Sequence, residues 1–273
     1  MIPSIATVTL GGTLIEKLEA IATANFQAIE LFDTDFESFR GTPKELRQRI
    51  DNLGLNLASY FPLRNFEGMP HSQQSKVFER AERYLDVAVE LGADMVMICS
   101  NTDPESMPDL DSIATDLNKL GDLAAQRNLK IAYEGLAWGQ HVYDYRRAWD
   151  LITRAAHPSV GLVLDAFHIL ARGIDLSTIK TIPSDRIFLV QVSDAASLDL
   201  DYLTWSRHHR VLPGQGNFVI SEFIDAVQTT GYNAIVSLEC FNDQMRASSP
   251  DAIALEGYRT LENLWDMPPL HQV

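Results

Sequence analysis

Cysteine is scarce in this chain: Cys99 and Cys240 are the only two in 273 residues. Two thiols cannot build the disulfide framework that staples small secreted domains. Both stand at the ends of apolar runs and read as buried, reduced and structural. Long hydrophobic runs are missing too, since no stretch approaches the ~20 apolar residues that span a bilayer. The opening Met1-Ile2-Pro3-Ser4 lacks the basic-then-apolar order of a signal peptide. The expectation is therefore a cytoplasmic protein with no membrane partner. Positive charge is the third shortage: 22 Lys and Arg face 37 Asp and Glu, a net charge of −15. Such a surface repels nucleic acid, which excludes a backbone-tracking DNA or RNA binder. It also means that an anionic small substrate needs local arginines. No Pro/Gly/Ser linker, charge run or low-complexity segment interrupts the chain, so 1–273 reads as one domain.

What is present is a rhythm. Hydrophobic residues make up 46% of the chain, enough for a full core. Short apolar runs recur at 5–10, 28–31, 55–60, 95–100, 129–134, 160–165, 187–192 and 234–239. Most are continuously apolar rather than alternating, as parallel strands covered on both faces should be. Amphipathic stretches lie between and after them, at roughly 13–25, 43–52, 73–91, 109–127, 144–155, 175–180, 217–230 and 251–265. Thr42-Pro43, Ser72 and Asp109 read as helix starts. Gly92 and Gly231 read as helix ends. Eight β/α units in this length predict an α/β fold, a (β/α)₈ TIM barrel, rather than a doubly wound sheet with a second domain. The active site of such a barrel lies at the C-terminal strand ends. The longest loops, 61–72, 101–108, 135–143 and 193–216, fall at that end, and the last reads as a lid or substrate wall.

Four oxygen-bearing side chains also sit there. Glu134, Asp165, Gln191 and Glu239 close the last four strand-like runs. A carboxylate ending an apolar strand is costly unless something pairs with it. One alone is readily a helix cap or an arginine's partner. Four on consecutive strands point to a cradle for a divalent cation. Three carboxylates and an amide favour Mg²⁺, Mn²⁺ or Co²⁺ over thiolate-bound zinc. His168 follows Asp165 by three residues and is a candidate for proton transfer, with a further metal ligand or a packed histidine as alternatives. Glu134 is a candidate base as well as a ligand.

Two basic features stand out in the acidic background. Arg64, in Pro62-Leu63-Arg64-Asn65-Phe66-Glu67, either grips a substrate carboxylate or pairs with Glu67. The run Trp205-Ser206-Arg207-His208-His209-Arg210, followed by Pro213-Gly214-Gln215-Gly216, reads as anion-binding. In that reading Ser206 and Arg210 hold the substrate, with Arg207 as the alternative. The bland alternative is a structured loop whose arginines pair with barrel carboxylates. The adjacent histidines suit neither a helix-face nor a strand-face chelate. Tyr133, Trp138 and Phe167 flank the ligand candidates and read as core slightly more than as an apolar wall.

Taken together, IAYEGLAWG, VGLVLDAFHIL, FLVQVSDA, WSRHHRVLPGQG, SLECFND and PLRNFEGMP resemble the bacterial 3-dehydroshikimate dehydratases. These belong to the sugar phosphate isomerase/epimerase, or xylose isomerase-like, TIM-barrel superfamily. The four-ligand set indicates the superfamily; the basic loop and the RNFEGMP loop are the more specific marks. The resemblance implies a metal held by Glu134, Asp165, Gln191 and Glu239, with His168 close by and arginines over a small anionic cyclic substrate. It implies conversion of 3-dehydroshikimate to protocatechuate and water. In that scheme His168 removes the proton alpha to the ketone and can return it to the departing hydroxyl. Either catabolism of quinate and shikimate or supply of a catechol for siderophores would use the product. Many bacterial relatives carry a dioxygenase-like domain after the barrel, whereas this sequence is read as the barrel alone. A homo-oligomer is compatible with it. The runner-up is a ketose isomerase or epimerase, which has no need of a carboxylate-binding arginine. A DNA-repair endonuclease would need a histidine-rich zinc cluster and a basic groove, both lacking. A catalytically dead binding barrel is the third alternative.

Overall fold

The computed structural model describes residues 1–266. Among them, eight parallel strands close into a barrel: β1 (Ile2–Ala6), β2 (Ala28–Phe32), β3 (Asn56–Leu63), β4 (Met95–Cys99), β5 (Lys130–Glu134), β6 (Val160–Asp165), β7 (Ile187–Val192) and β8 (Ile235–Leu238). Each strand pairs with its chain neighbours, and β8 pairs with β1 to close the ring. Helices return the chain on the outside, including Leu14–Thr23, Pro43–Asn52, His71–Leu91, Leu110–Ala125, Tyr145–Ala155, Ile220–Thr229 and Pro250–Asp266.

Strand parity places the site. Successive strand residues face opposite sides of a sheet. On β5, Ile131 and Tyr133 pack into the layer under the helices, and Ala132 packs in the lumen. Glu134, in step with Ala132, therefore faces the lumen. On β6, Leu162 and Leu164 pack outward and Val163 inward, so Asp165 shares the lumen. On β7, Val190 and Val192 pack outward and Leu189 inward, which turns Gln191 inward. Glu239 lies one residue past β8, in step with the inward Ile235. On β2 the same alternation leaves Glu30 inside, between the outward Ile29 and Leu31.

Local chemistry starts and stops the helices largely as the sequence predicts. Thr42 and Glu45 form a reciprocal capping box, and Asp109 accepts the Asp111 N–H. Gly92 ends its helix at φ 72°, a left-handed conformation that a side chain disfavours. Four expectations need correction. The first strand is Ile2–Ala6 rather than 5–10, because its residues pair with β8 from Ile2 onward and Thr7–Thr9 wind into a 3₁₀ turn. Ser72 caps nothing, since the helix begins one residue earlier, after Pro70. The stretch 175–180 gives only the 3₁₀ turn Ile179–Thr181, while a short helix, Ala166–Leu170, forms directly after β6. Asp165 starts that helix by accepting the Phe167 N–H. Finally, 193–216 is structured. Asp194–Ala195 pairs antiparallel with Arg210–Val211, and the helix Tyr202–His208 lies between them.

Candidate metal and active site

At the C-terminal end of the barrel, oxygen and nitrogen atoms of Glu134, Asp165 and His168 lie within 4.8 Å of one another, all buried. Glu134 receives a hydrogen bond from Cys99 Sγ at 3.1 Å through Oε2. Its Oε1 is buried without a hydrogen-bond partner among the described residues. Asp165 uses Oδ1 on the Phe167 N–H at 2.7 Å and Oδ2 on Arg210 Nη1 at 2.8 Å. Glu239 Oε2 accepts from the same Nη1 at 2.9 Å. Gln191 is the register partner of Asp165. Its Nε2 donates to both Glu30 oxygens, and its Oε1 is buried and unpartnered.

The electrostatics follow from crowding. Burial first, then the Glu239 and Asp165 charges, push the Glu134 carboxyl well above its ordinary range. Burial pushes Glu239 up to about 8, against the opposing pull of Arg210. One guanidinium thus spans two of the three carboxylates and leaves the third uncompensated. The donor set therefore fits a divalent cation, being hard, acidic, buried and in deficit of positive charge, with two oxygens lacking partners. Cys99 contacts Glu134 as a thiol, its own pKa driven well up by burial, so it adds no thiolate to the set.

His168 Nδ1 accepts the Ala137 backbone N–H at 3.1 Å. An amide nitrogen can only donate there, and Arg210 Nη2, also a donor, lies 3.3 Å from Nε2, so donors face both ring nitrogens. Nε2 is 3.5 Å from Glu134 Oε1 and 3.4 Å from Asp165 Oδ2. Burial holds the imidazole pKa down to about 3, so it is neutral at ordinary pH. His168 is thus a neutral imidazole set against two of the ligand candidates.

The other sequence candidates divide. Arg210 is 1% exposed and locked, with Nε and Nη2 on Ser206 Oγ, Nη1 on the carboxylates, and the guanidinium 4.4 Å from the Phe167 ring centroid. Ser206 is fully buried and orients this arginine. Arg64 pairs with Asp33 at 2.7 Å, not with Glu67, and does not line the cavity. The cavity itself measures about 20 Å³, bounded by Glu134, Trp138, His168, Arg207, Arg210 and Phe241 among others. Larger hollows near Arg49 and beside Arg80 lie away from these groups. Of the three flanking aromatics only Trp138 faces the cavity; Tyr133 and Phe167 are core. His208 is exposed on Asp243.

Three contributors escaped the sequence reading. Glu30 and Cys99 touch the ligand candidates, yet each sits inside an ordinary apolar strand run. Asp194 organises the PGQG turn rather than a bound anion. Its carboxylate accepts four backbone N–H groups, from Ala195, Gly214, Gly216 and Phe218. A Cβ on Gly216 would meet Asp194 Oδ1, which is why that turn carries glycine.

Comparison with known proteins agrees with this geometry. The family model described as xylose isomerase-like TIM barrel matches residues 18–264. A 3-dehydroshikimate dehydratase of Pseudomonas putida is 45% identical over 258 residues, 94% of this chain and 41% of that protein. The dehydratase of the same name from Neurospora crassa is 26% identical, covering 88% of this chain and 85% of its own. A xylose isomerase-like TIM barrel/4-hydroxyphenylpyruvate dioxygenase fusion protein superposes with a TM-score of 0.95 at 44% identity, covering 97% of this chain and 42% of that one. The chain spans about two fifths of the bacterial relative and of the fusion protein.

Proposed function

Because the chain belongs to the xylose isomerase-like TIM-barrel family, we propose that it is a metal-dependent dehydratase converting 3-dehydroshikimate to protocatechuate and water. The observation that carries the reading is the buried Glu134–Asp165–His168 cluster, in which a carboxylate oxygen without a hydrogen-bond partner among the described residues lies 3.5 Å from a histidine ring nitrogen. Its likeness to the Pseudomonas putida dehydratase supplies the substrate.

Glu134, Asp165, Gln191 and Glu239 would hold the cation, Mg²⁺, Mn²⁺ or Co²⁺ by the hardness of their oxygens. When bound, it supplies a Lewis acid for negative charge developing on the ketone oxygen. The chain's own residues do the proton work. His168, a neutral imidazole, takes the proton alpha to the ketone. The same imidazole can return that proton to the β-hydroxyl, which leaves as water. Enolisation of the resulting dienone gives the catechol. Arg210, held by Ser206, keeps Asp165 and Glu239 in place and gives the site a positive wall. Arg64 stands at the rim, on Asp33. The partner is a small anionic cyclic molecule. Two buried, unpaired cysteines suit the reducing cytoplasm.

The test is the ultraviolet spectrum of 3-dehydroshikimate with metal-stripped protein, before and after adding Mg²⁺, Mn²⁺ or Co²⁺. Growth of the protocatechuate band on metal addition is expected. Folded protein that gives no band with any of them, but turns over neutral ketoses, would replace this reading with an isomerase or epimerase.

A further inference from the structure

Three arginines stand at the mouth of the barrel, and two are already committed. Arg64 is paired with Asp33. Arg210 is spent on Asp165, Glu239 and Ser206. Arg207, on the helix Tyr202–His208, is different. It is half-buried, and among the described residues its side chain makes no ion pair or hydrogen bond. Its guanidinium lies 4.4 Å from the centroid of Phe241 and 5.8 Å from that of Trp138. All three residues line the cavity that contains Glu134 and His168.

We propose that Arg207 is the residue that receives the anionic group of the ligand and so sets the site's preference for a carboxylate. The inference rests on the dehydratase reading for the identity of the ring, and on geometry for the choice of arginine. A guanidinium kept from water without an anion loses hydration that nothing restores, and stacking on aromatic faces returns part of it. A carboxylate delivered to its fork forms two parallel charge-assisted bonds and supplies the missing partner. Arg210 is almost fully buried and its Nε and Nη2 are both held on Ser206 Oγ. Arg64 would have to leave Asp33 and does not line the cavity.

Size points the same way. A cavity of about 20 Å³ admits no six-membered ring. The walls must part, and the side chain with no polar anchor yields first. Arg207 moving off Phe241 opens the mouth and presents the guanidinium in one step. Trp138, the other aromatic beneath it, lies 5.0 Å from the His168 ring, centroid to centroid, so a ring displacing the guanidinium comes to rest beside that imidazole.

The experiment compares protocatechuate with its neutral primary amide, by calorimetric titration into the Mn²⁺-loaded protein. Both carry the same catechol, so only the carboxylate differs. The wild type is expected to prefer the acid by about tenfold or more, the scale of a charge-assisted pair. Arg207→Gln should abolish the preference and Arg207→Lys should keep part of it, while Arg64→Gln retains it. In turnover, Arg207→Gln should raise KM far more than it lowers kcat. Arg207→Gln that keeps the full preference, or Arg64→Gln that loses it, overturns the proposal, as does a wild type with no preference. Thermal melts identify any variant that fails to fold, and Arg207→Lys then carries the comparison. Because binding is read at equilibrium, a wild type that fails to turn over 3-dehydroshikimate would refute the dehydratase reading and leave this comparison intact.

Discussion

The side-chain amide of Gln191 donates to both carboxylate oxygens of Glu30, at 3.2 Å each, across the barrel lumen. Only the NH₂ end of an amide can donate, so this pair directs the Gln191 oxygen away from Glu30 and leaves it available. Glu30 is itself fully buried and held by Ser59 Oγ at 2.8 Å. Replacing Glu30 with Leu should free the amide to rotate and weaken Mn²⁺ binding by roughly 10–100-fold, the usual effect of removing a residue that orients a metal ligand. Calorimetric titration with Mn²⁺ checks this without recourse to turnover. Unchanged affinity would mean that Gln191 is no ligand or needs no orientation.

His168→Ala should lower turnover by about 10²–10⁴-fold, the range of a lost general acid or base. Bound metal, measured by elemental analysis, should stay at the wild-type level. Metal lost together with activity would make His168 a ligand instead.

Glu67 lies under the loop after β3, fully buried, accepting from the Asn101 N–H at 2.7 Å and Tyr133 Oη at 2.9 Å. Burial pushes its carboxyl from 4.5 up to about 7. The folded state therefore binds this proton more tightly than the unfolded chain does, and stability falls as pH rises from about 4.5 through about 7. A rise of this size is worth about 3 kcal/mol once the group is ionised in both states. Glu67→Gln removes the titration and keeps an acceptor. It should therefore exceed the wild type in urea stability at about pH 8, with a gap that narrows toward about pH 5. A gap independent of pH would show that Glu67 is not the titrating group.

Asp194→Ala leaves four backbone N–H groups without their acceptor, three in the 193–216 segment and that of Phe218 just after it. Buried donors without partners cost about 1–3 kcal/mol each, less where water enters, so a loss of at least about 2 kcal/mol is expected in urea unfolding. Proteolytic cleavage should increase within that segment. Undisturbed stability would show that the PGQG turn holds itself.

The barrel was legible because its determinants are local and repeated. Continuous apolar runs, capping threonines and aspartates, and Gly92 and Gly231 past helix ends each reflect the backbone's own chemistry. The four strand-end oxygens were legible for a related reason. Strand parity alone commits Glu134, Asp165 and Gln191 to the lumen, and a carboxylate in an apolar run is conspicuous wherever the chain goes. Glu30 shows the limit of that reasoning. It occupies the middle of Ala28-Ile29-Glu30-Leu31 and gives the same signal as an exposed strand residue until closure of the barrel sets it against Gln191, 161 residues away.

The sequence by itself determined the period of the chain and most of its strands and helices, because these depend on neighbours a few residues apart. The tertiary structure decided what each charge does. Arg64, Arg207 and Arg210 are equivalent in composition, yet one pairs with Asp33, one lies over Phe241 and Trp138 with no ion pair among the described residues, and one bridges two buried carboxylates. His168 likewise meets a backbone N–H 31 residues away at Nδ1 and the Arg210 guanidinium at Nε2. Electrostatic roles depend on distance in space and on exclusion of water, and neither exists until the barrel closes.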